Sequence, residues 1–362
     1  MKILHLSYSL ASGGAERFVV DLCNELAKSS ENKVTLVTLV DDNLPGNAHY
    51  LPELNDTVEY VCLKAKSGLS LKAIWRLFSF IIERKPDVVH AHCAALLLFL
   101  PSIIYRKCKY IHTLHNIAQK NIPFAWMRGI YRCFYRSLVQ PVTISGACDT
   151  SYIQYYGLTN SICIYNGRSP IVPSLLANIV KEEVESYNNG NECPVFIHVA
   201  RYGEAKNQQL LINVFEKLAD EGKRFLLLIL GNRHEHAPYY NKIRSSQIRI
   251  LGEKYNVGDY LICSDYFVLS SLWEGLPISL LEAMSVGCVP VCTPAGGVAD
   301  VVKHGTNGFL PPDFSEDSFY RLLNSCLLSH SKEALSVAAR KDYADAFSME
   351  SCAKRYYDVY EL

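Results

Sequence analysis

Short apolar runs alternate with helix-spaced segments along this chain, and that alternation admits few folds. Met1–Ser9 reads as a strand. Ala15–Lys28 sets Phe18, Val19, Leu22 and Leu26 at helical spacing, and Lys33–Val40 is strand-like again. Asp87–Ala91, Tyr110–Leu114 and Val142–Ser145 follow as short buried strands. Such a βαβ rhythm predicts a parallel sheet with helices on both faces. The rhythm then starts afresh. Val195–Ala200, a helix near Asn207–Glu221, Phe225–Gly231, Ile248–Leu251, Tyr266–Ser270, a helix at Ser279–Val286, and Val289–Thr293 form a second series. At 362 residues the chain suits two domains rather than one core.

The expected class is therefore α/β, with two doubly wound, Rossmann-like halves. The break is expected near Tyr165–Pro173, where an Asn-Gly pair and two prolines interrupt the pattern. The charged, Asn/Gly-rich stretch Lys181–Glu192 is expected to be a loop or the far side of a linker. The Tyr-rich end, Ser348–Leu362, has helical spacing and is expected to return to the first half, because left free it would expose too much apolar area. The resulting division is 1–168 with 348–362, and 169–347.

Lys+Arg and Asp+Glu both total 36, so overall charge says nothing about partners. Distribution says more. No Asp or Glu occurs between Val88 and Cys148, where Arg106, Lys107, Lys109, Lys120, Arg128, Arg132 and Arg136 all fall. The first half thus carries a local positive field. The 13 cysteines are scattered and contain no C-x-x-C pair, which suits reduced, buried thiols and a cytoplasmic compartment. Structural zinc is disfavoured without closely spaced ligands. The longest apolar run, Cys93–Tyr105, is broken by Pro101 and is short of the ~20 residues that span a bilayer. A soluble or peripheral protein is expected.

In the second half, the strand Val195–Ala200 runs into ARYGEAKNQ, which carries Arg201 and Lys206. Ligands of open parallel sheets sit beyond the carboxyl ends of strands. Two cations there can hold a diphosphate, Arg through its fork and Lys as a point charge; solvated surface charges are the alternative. Ser271–Gly287, SLWEGLPISLLEAMSVG, sets Glu274 and Glu282 on either side of the turn Gly275-Leu276-Pro277 and the start of a helix. Free amides near Ile278, Ser279 and Leu280 can face an anion, helped by the helix dipole. Glu282 is flanked by Leu280, Leu281, Ala283 and Met284, so it is expected to need a partner, and ribose hydroxyls would serve. Carboxylates for hydroxyls and amides for phosphates together fit a nucleotide-sugar. No Asp-x-Asp occurs, so no divalent metal is expected in holding the diphosphate.

In the first half, Gly13-Gly14 end the first strand and allow close approach of a ligand, or make a plain tight turn. No full G-x-G-x-x-G is present and no acidic residue ends the second strand, which disfavours a dehydrogenase. In YIHTLHN, His115 follows a strand end and can face a ligand, whereas His112 is expected to be internal. Ser145 holds a similar strand-end place. Arg128, Arg132 and Arg136 recur every fourth residue, with Phe124 and Trp126 before them and Lys120 nearby. The stripe reads as a membrane-surface helix or as an ordinary amphipathic helix packed on the sheet. The acid-free surroundings favour an anionic partner such as lipid headgroups or a lipid-linked phosphate; nothing else supports nucleic acid.

On these residues the chain resembles the retaining glycosyltransferases of the GT-B fold, in the large group 1 / group 4 class that includes bacterial surface-polysaccharide enzymes. The resemblance covers nearly the whole chain. It rests on Gly13-Gly14-Ala15-Glu16, HTLHN, Asn166-Gly167, Arg201 with Lys206, and Glu274 with Glu282. It implies two domains facing across a cleft, the first for the acceptor and the second for a UDP- or GDP-sugar. It further implies His115 against the donor sugar, Gly14 near it, Arg201 and Lys206 on the diphosphate, Glu274 on the sugar side and Glu282 on ribose. Gly231 matches the strand-end glycine, and Gly252 in ILGEKY matches the segment lining the base.

The acceptor implied is a saccharide, free or on a polyprenyl diphosphate, in O-antigen, capsule or exopolysaccharide synthesis at the inner face of the plasma membrane. No cofactor is implied. The chain departs from the family where Glu204-Ala205 replaces Pro-Glu, where Asn232-Arg233 follows Gly231, and where Asp300 stands in place of Glu. A GT-B sugar-nucleotide epimerase is an alternative, but it needs carboxylates in the acid-free first half. A non-catalytic partner subunit is another, disfavoured by the retained site set.

Overall fold

A computed structural model of the chain describes residues 1–65, 70–92, 100–103, 108–122, 124–188, 193–328 and 332–362. Arg106, Lys107 and most of the apolar run Cys93–Tyr105 lie outside the described residues. The chain divides into two compact units, Met1–Ser169 with Phe347–Leu362, and Pro170–Ala346.

The first unit is built on seven parallel strands: β1 (Lys2–Ser7), β2 (Lys33–Val40), β3 (Glu59–Ala65), β4 (Val88–His92), β5 (Lys109–Leu114), β6 (Gln140–Thr143) and β7 (Ile162–Cys163). Their order is β3-β2-β1-β4-β5-β6-β7. One face of the sheet is apolar: Leu4, Leu6, Val37, Val89, Ala91 and Leu114 pack against Leu77, Ile81, Tyr131, Tyr135, Tyr152 and Tyr156. Around β1, β4 and β5 the other face is polar, carrying His5, His90, His92 and Thr113, all buried. The helices Gly14–Leu26 and Met349–Glu361, which pack on each other, supply Phe18, Tyr356 and Tyr360 to this face.

The second unit has five parallel strands in the order β10-β9-β8-β11-β12. They are β8 (Val195–Val199), β9 (Leu226–Leu230), β10 (Ile248–Gly252), β11 (Tyr266–Leu269) and β12 (Val289–Cys292). Phe196, Leu227, Ile229, Val268 and Val291 meet Val214, Phe215, Leu218, Phe319 and Leu323 of the covering helices. Near-continuous apolar strands are what a sheet covered on both faces requires.

The final helix returns to the first unit. Arg168 pairs with Ser348 in a parallel bridge, and the buried Arg168 Nη1 donates to Asp21 Oδ2 at 2.7 Å. Gly167 permits the contact, since a Cβ there would lie 2.8 Å from the Ser348 carbonyl oxygen and 2.5 Å from the Cys352 Cβ. One expectation fails. Lys181–Glu192 is not a loop from its start, because Ala177–Tyr187 is a helix. Val180 and Val184 are buried one turn apart, and Glu183 accepts hydrogen bonds from Tyr187 and Tyr260, each at 2.7 Å. Residues 189–192 lie outside the described set. Among the described residues no helix is long and apolar enough to cross a membrane, and all the cysteines described are free thiols.

Candidate active site

The strand order of the second unit places its crevice. From β8 the chain steps outward to β9 and β10, then returns to β11 on the other side of β8. Loops leaving β8 and β11 therefore diverge to opposite sides of the sheet, and ligands of open α/β sheets bind at that switch point, beyond the carboxyl ends. The β8 loop carries Arg201 and Lys206, and the β11 loop carries Glu274.

The structure brings Lys206 and Glu274 together. Lys206 Nζ donates to Glu274 Oε1 at 2.6 Å across 68 positions of sequence, and Ser271 Oγ donates to the same oxygen at 2.6 Å. Glu274 is buried and Lys206 half-buried. The two loops are also joined through backbone: Leu272 N donates to Ala205 O at 2.8 Å, and Ser270 Oγ to Lys206 O at 2.9 Å. Thr293, at the end of β12, donates its hydroxyl to Ser271 O at 2.6 Å. Arg201 stays exposed and makes no ion pair with a described residue.

Three buried polar side chains that the sequence reading passed over support Arg201. His198 Nδ1 donates to Val268 O at 2.9 Å, which leaves Nε2 to accept from Gln208 at 3.3 Å. Gln208 also donates to Arg201 O at 3.0 Å. His234 Nε2 donates to Ala200 O at 2.9 Å and its Nδ1 accepts from Tyr239 at 2.7 Å. Burial lowers His198 to about 3 and also lowers His234, so both rings are neutral donor–acceptor pairs. Their sequence signal was slight: one histidine in an apolar strand and another in the polar run NRHEHAP.

Gly231 ends β9 at φ +138, and a Cβ there would overlap the Ala200 carbonyl. Its amide donates to Gly252 O at 2.8 Å, so both glycines lie at the carboxyl edge of the sheet. After Gly275, Leu276 and Pro277, the helix Ile278–Ser285 opens with Pro277 as its N-cap. Of the three amides expected to face an anion, that of Leu280 already donates to Pro277 O at 3.2 Å. Ile278 and Ser279 are the two left to that expectation. Glu282 is half-buried on this helix and has a partner.

In the first unit, Gly14 opens the helix Gly14–Leu26. His115 follows β5, and its Nε2 lies 3.1 Å from His92 Nδ1. Burial, and secondarily His112, lowers His115 to about 3. His112 is internal as expected, 2.7 Å from the Tyr135 hydroxyl. Ser145 is a helix N-cap, accepting from Cys148 N at 3.2 Å. Among the described residues the histidines His5, His90 and His92 form a group whose geometry could hold a metal ion, with ligand atoms within 4.8 Å. Both ring nitrogens of His90 are nevertheless engaged, with Tyr360 and Thr113, at 2.7 Å each.

The arginine stripe divides. Arg132 Nε donates to Tyr156 O at 2.6 Å, and Arg128 lies 5.0 Å over the Tyr155 ring. Both tie the helix Arg128–Ser137 to the end of the helix Gly146–Tyr156, where a cation also favours the dipole. Arg136 and Lys120 are exposed, as are Phe124 and Trp126, whose rings stack at 6.3 Å.

Comparison with known proteins identifies the family. Residues 12–170 match the family model Glycosyltransferase Family 4, and residues 180–342 match Glycosyl transferases group 1. An uncharacterized glycosyltransferase of Methanocaldococcus jannaschii, MJ1059, is 26% identical over 323 residues, covering 79% of this chain and 77% of its own. An Escherichia coli UDP-Gal:alpha-D-GlcNAc-diphosphoundecaprenol alpha-1,3-galactosyltransferase is 22% identical, covering 90% and 86%. The solved structure of Anabaena HepE in complex with UDP-glucose superposes with a TM-score of 0.81 over 99% of both chains at 18% identity, which speaks for the fold. With one family model on each half and a whole-chain match to a GT-B enzyme, this chain belongs to the glycosyltransferases of group 1 and family 4.

Proposed function

We propose that the protein moves a sugar from a UDP- or GDP-sugar to a saccharide or lipid-linked saccharide acceptor in surface-polysaccharide synthesis, with retention of configuration and without a metal. The pairing of Lys206 with Glu274 carries this reading. It sets a cation and a carboxylate side by side at the sheet's switch point, the carboxylate on the loop that leads into the helix Ile278–Ser285. Arg201, Lys206 and the amides of Ile278 and Ser279 neutralise the leaving diphosphate, whose charge grows in the transition state. Glu274 takes the sugar side and Glu282 the ribose. Gly231, Gly252, Gly275, Leu276 and Pro277 shape the edge that receives the nucleotide. The resemblance assigns His115, with Gly14, to the sugar. The E. coli and Anabaena relatives support the donor and acceptor classes, since their names carry UDP-Gal, a diphosphoundecaprenol-linked sugar and UDP-glucose.

A thermal-shift panel of nucleoside diphosphates and their sugars, each with and without EDTA, tests the proposal. Ligands that bind only the folded protein stabilise it by ~2.7 kcal/mol at a hundredfold excess over Kd. One nucleotide series should raise the melting temperature equally in both conditions. A shift that EDTA abolishes would contradict the metal-free reading, and no shift with any nucleotide would contradict the donor site.

A further inference from the structure

The polar face of the first unit's sheet holds three imidazoles, two of which form a row with His115. His5 on β1 pairs in register with His90 on β4, and His92 follows on the same face. His5 Nδ1 lies 3.1 Å from His92 Nε2, and His92 Nδ1 lies 3.1 Å from His115 Nε2. His90 anchors the row from beside it, held by Tyr360 and by Thr113, whose hydroxyl also meets Tyr356 at 3.0 Å. His5 Nε2 is buried with no partner among the described residues. His115 is half-buried, and its Nδ1 takes no bond from a described residue.

A neutral imidazole has one N–H and one lone pair. Burial lowers all four histidines, so each ring carries one proton. Only two proton arrangements then satisfy the row, and the orphaned nitrogen of His5 chooses between them. A buried N–H without an acceptor is rarer and costlier than a buried lone pair without a donor. His5 therefore holds its proton on Nδ1 and donates to His92 Nε2. His92 must hold its own on Nδ1 and donate to His115 Nε2.

We propose that His92 is a positioning residue, which with His5 fixes His115 as the Nδ1–H tautomer and so makes it a hydrogen-bond donor toward a hydroxyl or ring oxygen of its ligand. The identity of that ligand as the donor sugar rests on the function proposed above; the tautomer does not. A metal ion among His5, His90 and His92 is the competing use of the cluster, and it would require His90 to give up a bond on a ring held at both nitrogens.

Long-range proton–nitrogen correlation spectra of histidine-labelled protein, with His115 assigned by its loss in His115→Ala, read the tautomer without any ligand. The Nδ1–H form is expected in the native chain. Its loss is expected in His92→Leu, and its recovery in His92→Asn, whose amide N–H replaces Nδ1–H. With UDP-glucose hydrolysis as the probe, His92→Leu should lower kcat roughly fivefold to tenfold, as loss of one hydrogen bond predicts, with little change in KM. His92→Asn should restore most of it. An Nε2–H form in the native chain, or a stoichiometric bound metal ion, would overturn the proposal. If no UDP- or GDP-sugar of the panel is bound or turned over while His115 is Nδ1–H, the donor assignment falls and the positioning role stands.

Discussion

Lys206 holds two tasks at once, and they can be separated. Its ammonium is a partner of the buried Glu274 carboxylate, whose other donor among the described residues is Ser271. Lys206→Ala leaves that carboxylate under-bonded, so a loss of about 1–3 kcal/mol is expected in denaturant unfolding, together with loss of transfer. Glu282→Ala should abolish transfer with the fold kept. Near-normal turnover by both variants would contradict the assigned site. The buried histidines make a second prediction. His5, His90 and His92 have folded values below their unfolded 6.5. The unfolded chain therefore binds more protons as pH falls through 6.5. The stability that neutral burial confers is complete above that value and is lost below it, by up to about 1.4 kcal/mol per pH unit for each ring. Unfolding midpoints should be flat from pH 8 to 7 and fall steeply from 6.5 to 5; a flat profile to pH 5 would contradict neutral burial.

Strand ends carry the candidate site, so elements matter through their carboxyl edges. Gly231 at φ +138 lies under the Ala200 carbonyl, next to Arg201. Gly231→Ala should cost at least about 1–3 kcal/mol in backbone strain and should weaken nucleotide binding as well, read by unfolding and by titration. Unchanged affinity would separate the β8 loop from the ligand. The apolar strands around these loops were legible because sheets covered on both faces write themselves as continuous Val/Ile/Leu runs. β3 and the helix Leu71–Arg84 were not read. β3 is an edge strand, mostly half-buried, with a lysine and a glutamate among its seven residues. In the helix Ala177–Tyr187, charge hid the two buried valines that hold it. The loop residues Arg201, Lys206 and Glu274 could be named from motif spacing. That Lys206 and Glu274 bond each other could not, because 68 positions separate them and only strand order brings them together. The histidine row was missed for the same reason, since His5 and His92 are 87 positions apart.

Across the whole molecule, each unit repeats one solution: a parallel sheet whose strand order reverses beside its first strand, with functional loops at the carboxyl edge. The first unit adds a stretch of sequence without Asp or Glu, between Val88 and Cys148, in which Arg136, Lys120 and the stacked pair Phe124 and Trp126 are exposed. Cations beside exposed aromatics suit an anionic lipid interface. Sedimentation with anionic vesicles should exceed that with neutral ones and fall in Trp126→Ala; indifference to lipid charge would remove the membrane role. In the second unit, the loop cations are proposed to hold a nucleoside diphosphate directly. Calorimetric titration of UDP and GDP in EDTA, into the native protein and into Lys206→Ala, decides it. One nucleotide should bind the native chain, and its affinity should drop roughly 10–100-fold in the variant, the worth of a hydrogen bond to a charged group. Equal affinity in both proteins would contradict the account.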